Sequence, residues 1–353
     1  MFFNIFKKKP AMEMEFPSME QGATAEFYKQ WREESEQKAK ILADYVDISP
    51  KQLELIFQET LENDRLCSAV LAKRTEPDIE YICSKYRVPS KWAEMILPTM
   101  PVQLVIDMAC LGDKIGSTRE FSNHAPVTKE NLLTPRSTET DDSILTRAVY
   151  DTIVENPDNP DFRMAYIRAY KENPDADYGG GFAQWAMDDE KNVTGYGSCG
   201  NGCVMRVSPI VAFYKNYNDV IKYVTASVMP THNHTESIKA AVVFAGALWM
   251  ARAGADKVEI LDYVKSAYTP APAPEGYKPL YKQYTFGDTP YTTNMIEKHS
   301  LFAGFAVPMV VDHFAHTNDF VDCCISLLSS FCDADTLCSM AGGLCGLFQC
   351  ANN

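Results

Sequence analysis

Apolar residues recur every three or four positions along most of the chain beyond residue 102, a spacing typical of helices packed on one face. No segment shows the sustained apolar–polar alternation of a half-buried strand. Loops rich in glycine and aspartate separate the periodic segments. The segments with helical spacing are 102–115, 143–155, 161–170, 205–214, 238–252, 257–267, 299–314, 320–328 and 336–348. The pattern predicts helices, and no strand, along this part of the chain.

The N-terminal part of the chain is predicted to be helical as well, but it is more highly charged. We interpret residues 20–98 as a small helical domain, preceded by a frayed or disordered segment at 1–19. Ser49 and Pro50 form a favourable N-cap and first-turn pair for one of its helices. The larger domain then occupies 102–353.

Two short helices about a tight turn are predicted at 79–83 and 92–97. Their spacing is similar to that of helix-turn-helix modules, but the acidic balance of the chain disfavours DNA as a partner. We therefore favour a small bundle packed on the next domain, with Pro98 and Pro101 at the boundary.

Two glycine- or proline-rich stretches interrupt the larger domain. Residues 268–292 are rich in proline and tyrosine, which predicts an extended surface loop and allows a flap over a site. Gly179–Gly181 is interpreted as a turn.

The charge and the cysteines limit the possible functions. The net charge of the 353-residue chain is −14 and its pI is about 4.9, which argues against nonspecific binding to nucleic acid or to an anionic membrane. The eleven cysteines include no CxxC pair, so we expect buried, reduced thiols rather than disulfides or a zinc site. Cys199 and Cys203 alone are too few for zinc.

The first ten residues, MFFNIFKKKP, carry their apolar residues before their basic ones, the reverse of a secretory signal. No apolar segment reaches the length of a membrane span. We therefore expect a cytoplasmic protein with no membrane partner, with a weak membrane-surface anchor as the alternative to a frayed N-terminus.

Two acidic phrases stand immediately before predicted helices: TDDS at Thr140–Ser143 and DADT at Asp333–Thr336. Helix capping alone explains either phrase, since aspartate and hydroxyl side chains cap helix N-termini and anions favour the positive helix end. Capping does not explain why both starts carry two carboxylates and a hydroxyl. If the two starts meet, a cation is needed among the carboxylates, and their hard oxygen ligands favour Mg²⁺ or Mn²⁺ over zinc.

Five phrases in order resemble the ADP-ribosylglycohydrolase family, whose members include dinitrogenase-reductase-activating glycohydrolases and ADP-ribosyl-acceptor hydrolases. The resemblance covers roughly residues 102–348 and leaves the N-terminal helices outside. The phrases are GDKIGSTREF at 112–121, TDDS at 140–143, GSCGNGCVMRVSP at 197–209, THNHTESIK at 231–239 and DADT at 333–336.

The resemblance implies an all-α bundle with two Mg²⁺ ions in a cleft, for which Mn²⁺ is a possible substitute. Such a pair of ions serves as template, Lewis acid and water activator. The implied catalytic residues are Glu120, Asp142 and Asp335. The implied metal ligands are Thr140, Asp141, Asp142, Asp333, Asp335 and Thr336.

The resemblance also implies a substrate-binding set: Gly197, Ser198, Cys199, Gly200, Asn201 and His232. A glycine-rich run before a helix can present backbone amides and a positive helix end to a pyrophosphate, although a plain glycine turn would look the same. His232 and His234 lack a third ligand for zinc. We expect His232 to hydrogen-bond substrate or a metal-bound water, and His234, Asn233 and Glu236 to cap the next helix.

Two acidic residues keep alternative readings. Glu120 is placed by the resemblance near the substrate ribose, where a carboxylate can stabilise an oxocarbenium-like transition state or move a proton; otherwise it is a solvated loop residue. Asp113 is either a carboxylate that supports the site or the last polar turn of its helix.

The chain departs from the family pattern at several positions. Cys199 stands where relatives usually carry an aromatic residue, Thr235 replaces a proline, and Phe331-Cys332 replaces a glycine pair. Bulkier residues before Asp333 are expected to shift the second metal half-site. The sequence also ends soon after the last motif helix.

Two functions are consistent with these residues. The first is an Mg²⁺-dependent hydrolase of the N- or O-glycosidic bond between ADP-ribose and an acceptor, with an ADP-ribosylated protein or a small-molecule conjugate as partner. The alternative is a module of weak or no activity that binds ADP-ribose or a related nucleotide.

Overall fold

The computed structural model describes seven ranges of the chain, in two units. One unit comprises 1–78 with 270–280, and the other comprises 79–269 with 281–353. The described ranges are 47–53, 77–120, 126–188, 195–269, 283–287, 299–330 and 332–352.

In the first unit, the described residues include the predicted helix start at Ser49. Its hydroxyl accepts from the Gln52 backbone N–H at 3.2 Å, and the Gln52 side chain accepts from the Ser49 N–H at 3.1 Å. This reciprocal capping confirms the predicted helix start. The segment 1–19 lies outside the described residues.

All regular elements of the second unit in the described ranges are helical, which confirms the predicted all-α class. Two isolated β-bridges, Ile96 with Asn216 and Gly200 with Phe302, are the extended pairings found there. Short 3₁₀ turns occupy Lys129–Asn131 and Asn201–Cys203. The helices are α1 (Ile79–Lys85), α2 (Ser90–Ala93), α3 (Val102–Gly116), α4 (Asp141–Glu155), α5 (Phe162–Glu172), α6 (Gly180–Met187), α7 (Ser208–Phe213), α8 (Tyr217–Val228), α9 (Thr235–Arg252), α10 (Lys257–Tyr268), α11 (Ala303–Ala315), α12 (Phe320–Leu328) and α13 (Ala334–Asn352).

Helix α9 forms the centre of the bundle. Every residue from Ser237 to Arg252 except Lys239 is buried. A helix that is apolar on all sides must be covered on all sides, and α9 contacts α8, α10, α11 and α13.

Helices α3 and α13 pack with their backbones in contact. A Cβ atom on Gly112 would lie 2.0 Å from the Cys338 carbonyl oxygen, and one on Gly342 would lie 2.1 Å from that of Met108. Only glycine permits this approach, since a Cβ cannot share that space. The contact places the end of α3 directly beside the start of α13.

Two predicted helices begin later than the apolar pattern suggested. The segment 205–214 becomes helical only at Ser208, because Pro209 lacks an N–H and is tolerated in a first turn. The segment 299–314 gives α11 from Ala303, because the Leu301 carbonyl accepts the Asn201 N–H at 2.8 Å. Tertiary contacts thus replace the helix at 301–302.

Two local predictions were wrong, and one helix was not predicted. The glycine run at 179–181 is not a plain turn, because Gly179 is the N-cap of α6, which buries Phe182 and Trp185. The helix expected at 92–97 is the four-residue α2, since Ile96 pairs with Asn216 instead. Helix α8 was missed, although the side chain of Asn216 caps it by accepting from the Asp219 N–H at 2.9 Å.

The described cysteines are all free thiols and most are buried, as predicted. Of the predicted loop at 268–292, the described part includes Tyr284, which is buried and donates to the Asp312 carboxylate at 2.8 Å. No helix in the described part of the chain is long and apolar enough to cross a membrane.

Candidate active site

The first acidic phrase begins helix α4. Thr140 is the N-cap in extended conformation, and its hydroxyl oxygen accepts from the Asp142 N–H at 3.3 Å. Asp142 is buried, while Asp141 is partly buried. The capping expected from the sequence is present, but it uses Thr140 and leaves both carboxylates for another role.

Asp113 fixes this helix start from helix α3. Its carboxylate accepts from the Thr140 N–H and hydroxyl, both at 2.9 Å, from the Ser143 N–H at 3.1 Å, and from the Ser143 hydroxyl. Asp113 therefore supports the first acidic phrase, which is the first of the two roles that the sequence left open for it. Because the Thr140 hydroxyl gives its proton to Asp113, a lone pair of its oxygen remains for a cation.

The second acidic phrase is held by residues far away in the sequence. The Ser300 hydroxyl accepts from the Asp333 N–H at 3.1 Å. The Asn201 side-chain amide donates to the Asp333 carboxylate at 2.8 Å and to the Ser300 carbonyl at 3.0 Å. Asn201, predicted to bind substrate, thus orients a candidate metal ligand.

The two acidic helix starts meet. Thr336, at the start of α13, donates from its hydroxyl to the Asp142 carboxylate at 3.1 Å. One carboxylate oxygen each of Glu120, Asp333 and Asp335 lie within 4.8 Å of one another. The structure therefore joins residues that the sequence could only place at two separate helix starts.

The electrostatics of this cluster favour a cation. The pKa values of Asp141 and Asp142 are raised well above their usual range, mainly by burial and secondly by repulsion from Asp335. Burial and Asp335 raise the pKa of Asp333 in the same way. Glu120 is exposed, yet partial burial of its carboxyl group, followed by repulsion from Asp335, raises its pKa to about 7.

A divalent cation would fit this set of donors. It would lower the raised carboxyl pKa values, because a nearby positive charge favours the carboxylate form. The Asp142 Oδ1 atom is buried with no hydrogen-bond partner in the described part of the chain, and such an atom is costly unless a ligand pairs with it. Carboxylate and hydroxyl oxygens are suited to Mg²⁺.

The glycine-rich loop before α7 uses several of its backbone amides within the protein. The Gly197 N–H donates to Asn233 Oδ1 at 2.7 Å, and the Gly200 N–H donates to the Ser198 hydroxyl at 3.2 Å. The Asn201 N–H donates to the Leu301 carbonyl. These amides are therefore already paired, and the positive end of α7 begins only at Ser208.

The neighbouring residues 232–236 lie against this loop. His232 is buried, and its ring lies 6.1 Å from that of the exposed Tyr196. His234 caps α9 as expected, accepting from the Glu236 N–H at 3.2 Å. Asn233 was also expected to cap that helix, but its side chain holds Gly197 instead.

The structure describes Cys199 and Cys332, two of the positions that depart from the family pattern. Cys199 is partly buried, and its carbonyl accepts from the Ala303 N–H at 3.1 Å. Cys332 is buried and Asp333 remains in the cluster. Phe331 lies outside the described residues.

Several residues of the site were not assigned from the sequence. Ser300 accepts from the Asp333 N–H, the Thr231 hydroxyl hydrogen-bonds the His232 ring, and Arg206 donates to Thr231. Arg206 lies within one of the five phrases, but the sequence does not show that its side chain is fully buried.

Comparisons with known proteins identify the family of this chain. A family model described as ADP-ribosylglycohydrolase matches residues 109–350. ADP-ribosylhydrolase ARH3 of Xenopus tropicalis is 30% identical over 192 residues, 46% of this chain and 54% of that protein. ARH3 of Homo sapiens is 28% identical over 180 residues, 43% of this chain and 50% of that protein. The chain thus spans about half the length of these relatives.

Two further similarities extend over more of the chain. The putative ADP-ribosyl glycohydrolase L543 of Acanthamoeba polyphaga mimivirus is 24% identical over 281 residues, 67% of this chain and 83% of that protein. A solved structure titled ADP-ribosylglycohydrolase-related protein complex is 21% identical, with a TM-score of 0.49, covering 71% of this chain and 89% of that chain. Since the family model covers most of the chain, the protein belongs to the ADP-ribosylglycohydrolase family.

Proposed function

We propose that this protein is an Mg²⁺-dependent hydrolase that cleaves the N- or O-glycosidic bond between ADP-ribose and an acceptor. The acceptor is a protein side chain or a small molecule, so the reaction reverses ADP-ribosylation. The observation that carries this proposal is the hydrogen bond between Thr336 and Asp142, which joins the two acidic helix starts into one cluster. The expected cytoplasmic location stays a prediction.

The candidate ligands present oxygen atoms from two sides of this cluster. Bound Mg²⁺, or Mn²⁺ in its place, would supply a Lewis acid and a template for ribose hydroxyls and water. The proposed ligands are Thr140, Asp141 and Asp142 on α4, and Asp333, Asp335 and Thr336 at the start of α13.

Other residues of the chain hold these ligands in place. Asp113 orients Thr140, and Asn201 orients Asp333, so each half of the cluster has a hydrogen-bond partner from a different element. Such support fixes ligand geometry before a cation or substrate arrives.

Glu120 is the proposed acid–base residue. It is exposed next to Asp333 and Asp335, so its carboxyl group can give a proton to, or take one from, a substrate or water bound at this cluster. A carboxylate at this place can also stabilise the positive charge that develops on the sugar during glycosidic cleavage.

The test measures release of ADP-ribose from ADP-ribosylated proteins and from small conjugates, with arginine and serine linkages compared. We expect release that stops with EDTA and returns with Mg²⁺, and loss of release in Asp141→Ala and Asp335→Ala. The control is Asp107→Ala, an exposed residue of α3 outside the cluster. Full turnover by both variants would contradict the metal proposal, and ADP-ribose binding without any release would favour the binding module.

A further inference from the structure

Arg206 is a fully buried cation without an ion-pair partner in the described part of the chain. Its guanidinium carbon lies 4.0 Å from the centre of the Tyr166 ring, and the Tyr166 hydroxyl donates to the Ser227 carbonyl at 2.8 Å. A cation–π contact offsets only part of the cost of removing this charge from water. The position therefore suggests a use for the charge.

A hydrogen-bond chain leads from Arg206 to His232. Arg206 Nη2 donates to the Thr231 hydroxyl at 2.9 Å, and this hydroxyl lies 2.7 Å from His232 Nδ1. Arginine can only donate, so the Thr231 oxygen is the acceptor in the first bond. In the described part of the chain, His232 Nδ1 is the partner that can receive the proton of Thr231.

This direction fixes the tautomer of His232. Thr231 is completely buried, and a buried hydroxyl proton without an acceptor would be costly. His232 Nδ1 therefore accepts, and the imidazole carries its proton on Nε2.

The surroundings of His232 keep its ring neutral. Burial, followed by the positive charges of Arg206 and His234, lowers the pKa of His232 well below its usual value. A neutral ring with its proton on Nε2 is a hydrogen-bond donor at that atom.

The Nε2 atom lies beside two glycines of the glycine-rich loop before α7. A Cβ atom on Gly200 would lie 3.7 Å from His232 Nε2, and one on Gly202 would lie 3.8 Å from it. Because both residues lack that atom, neither glycine fills the space next to the donor. The Ser198 hydroxyl and the Leu301 carbonyl border this space, at 3.3 and 3.7 Å from the Cβ position of Gly200.

We propose that Arg206 and Thr231 are positioning residues that hold His232 as a neutral Nε2–H donor for an oxygen acceptor of the substrate at the Gly200–Gly202 turn. His232 then binds substrate and transfers no proton. The identity of the substrate rests on the proposed function, whereas the tautomer is a property of the free protein.

The decisive measurement is ¹⁵N NMR of histidine-labelled protein without ligand or metal, with the His232 signals assigned from His232→Gln. We expect a pyridine-type Nδ1 and a pyrrole-type Nε2 from about pH 5.5 to 8, across the range in which an ordinary histidine titrates. A protonated Nδ1, or an imidazolium near neutral pH, would overturn the proposal. This result does not depend on whether the protein hydrolyses anything.

The link through Thr231 is tested with substitutions. Thr231→Val should change the His232 Nδ1 shift and weaken ADP-ribose binding about two- to tenfold, as for one lost hydrogen bond; Thr231→Ser should restore both. In the control Thr225→Val, the lost hydroxyl bonds only its own helix backbone at Ile221 and Lys222, so neither quantity should change. An unchanged His232 Nδ1 shift and unchanged ADP-ribose affinity in Thr231→Val would refute the role of these hydrogen bonds. If that variant does not fold, Thr231→Ser and the wild-type spectrum still decide the tautomer.

Discussion

The Thr336 hydroxyl donates a hydrogen bond to Asp142 Oδ2 at 3.1 Å, between residues 194 positions apart in the sequence. Both residues are buried, and each belongs to the first turn of a helix. The bond fixes the hydroxyl proton of Thr336 and leaves its oxygen lone pairs toward the rest of the carboxylate cluster. It makes one site of two helix starts.

Replacing Thr336 with valine keeps the side-chain shape and removes the hydroxyl. We expect Thr336→Val to bind Mg²⁺ at least about tenfold more weakly, since it loses both a ligand and the partner of Asp142. Calorimetric titration with Mg²⁺ measures the effect. Thr336→Ser keeps the hydroxyl and should bind within a few-fold of wild type; equal affinity in the valine variant would exclude Thr336 from the metal site.

Asp113→Asn tests the support of the first helix start. The amide nitrogen of asparagine cannot accept the hydrogen bonds that Thr140 and Ser143 donate to Asp113. We expect loss of about 1–3 kcal/mol of unfolding free energy and about 10- to 100-fold weaker Mg²⁺ binding. Denaturant unfolding and calorimetry measure these, with the exposed Asp107→Asn of the same helix as the unaffected control.

Gly116→Ala tests the close contact of α3 and α13. The added Cβ would lie 2.3 Å from the Ala334 carbonyl oxygen and 2.4 Å from the Asp335 Cα. The backbones must separate, so we expect a destabilisation of about 1–3 kcal/mol together with weaker Mg²⁺ binding. Gly180→Ala meets no atom within 4 Å and lies in a helix, so it should leave stability unchanged or raise it. Similar stabilities of the two variants would contradict the close packing.

The raised carboxyl pKa values predict how stability depends on pH without metal. The pKa of Glu120 rises from 4.5 to about 7 on folding, so the folded state binds more protons between these values and loses stability as the pH rises through them. Asp141, Asp142 and Asp333 act in the same direction. Thermal melting with EDTA should show this fall, which Mg²⁺ should reduce.

The control for the pH dependence is Glu120→Gln, which should flatten part of the fall because glutamine does not ionise. The buried His232 and His313 have lowered pKa values and act in the opposite direction, so the comparison between the two proteins is decisive. The same pH dependence in wild type and Glu120→Gln would show that folding does not raise the Glu120 pKa.

Tyr196 offers the aromatic surface that Cys199 does not. Its side chain is exposed, its ring lies 6.1 Å from that of His232, and it precedes the glycine-rich loop at 197–202. If a nucleotide base or ribose stacks there, Tyr196→Ala should cost about 0.5–1.5 kcal/mol of ADP-ribose binding. Tyr196→Phe keeps the ring and serves as the control; calorimetry that finds no loss in the alanine variant would place the ligand elsewhere.

Much of the site could be found from the order of short phrases. Thr140–Ser143 and Asp333–Thr336 were recognisable because oxygen donors at a helix start have a local signature. The sequence left the role of Asp113 open and assigned Asn201 to substrate binding. It could not show their bonds to Thr140 and Asp333, because each partner lies on another element. Helix starts at Ser208 and Ala303 also depended on a proline and on contacts with the loop.

The sequence by itself determined the all-α class, most helix positions and the residues able to hold a cation, because helical periodicity, capping and ligand chemistry are local properties. Only the tertiary structure decided that the acidic phrases share one cluster. That meeting depends on the backbone contact of α3 with α13, where Gly112 and Gly342 leave no space for a side chain. Tertiary structure also decided that Thr231 links Arg206 to His232 by hydrogen bonds, because such contacts join residues that sequence spacing does not pair.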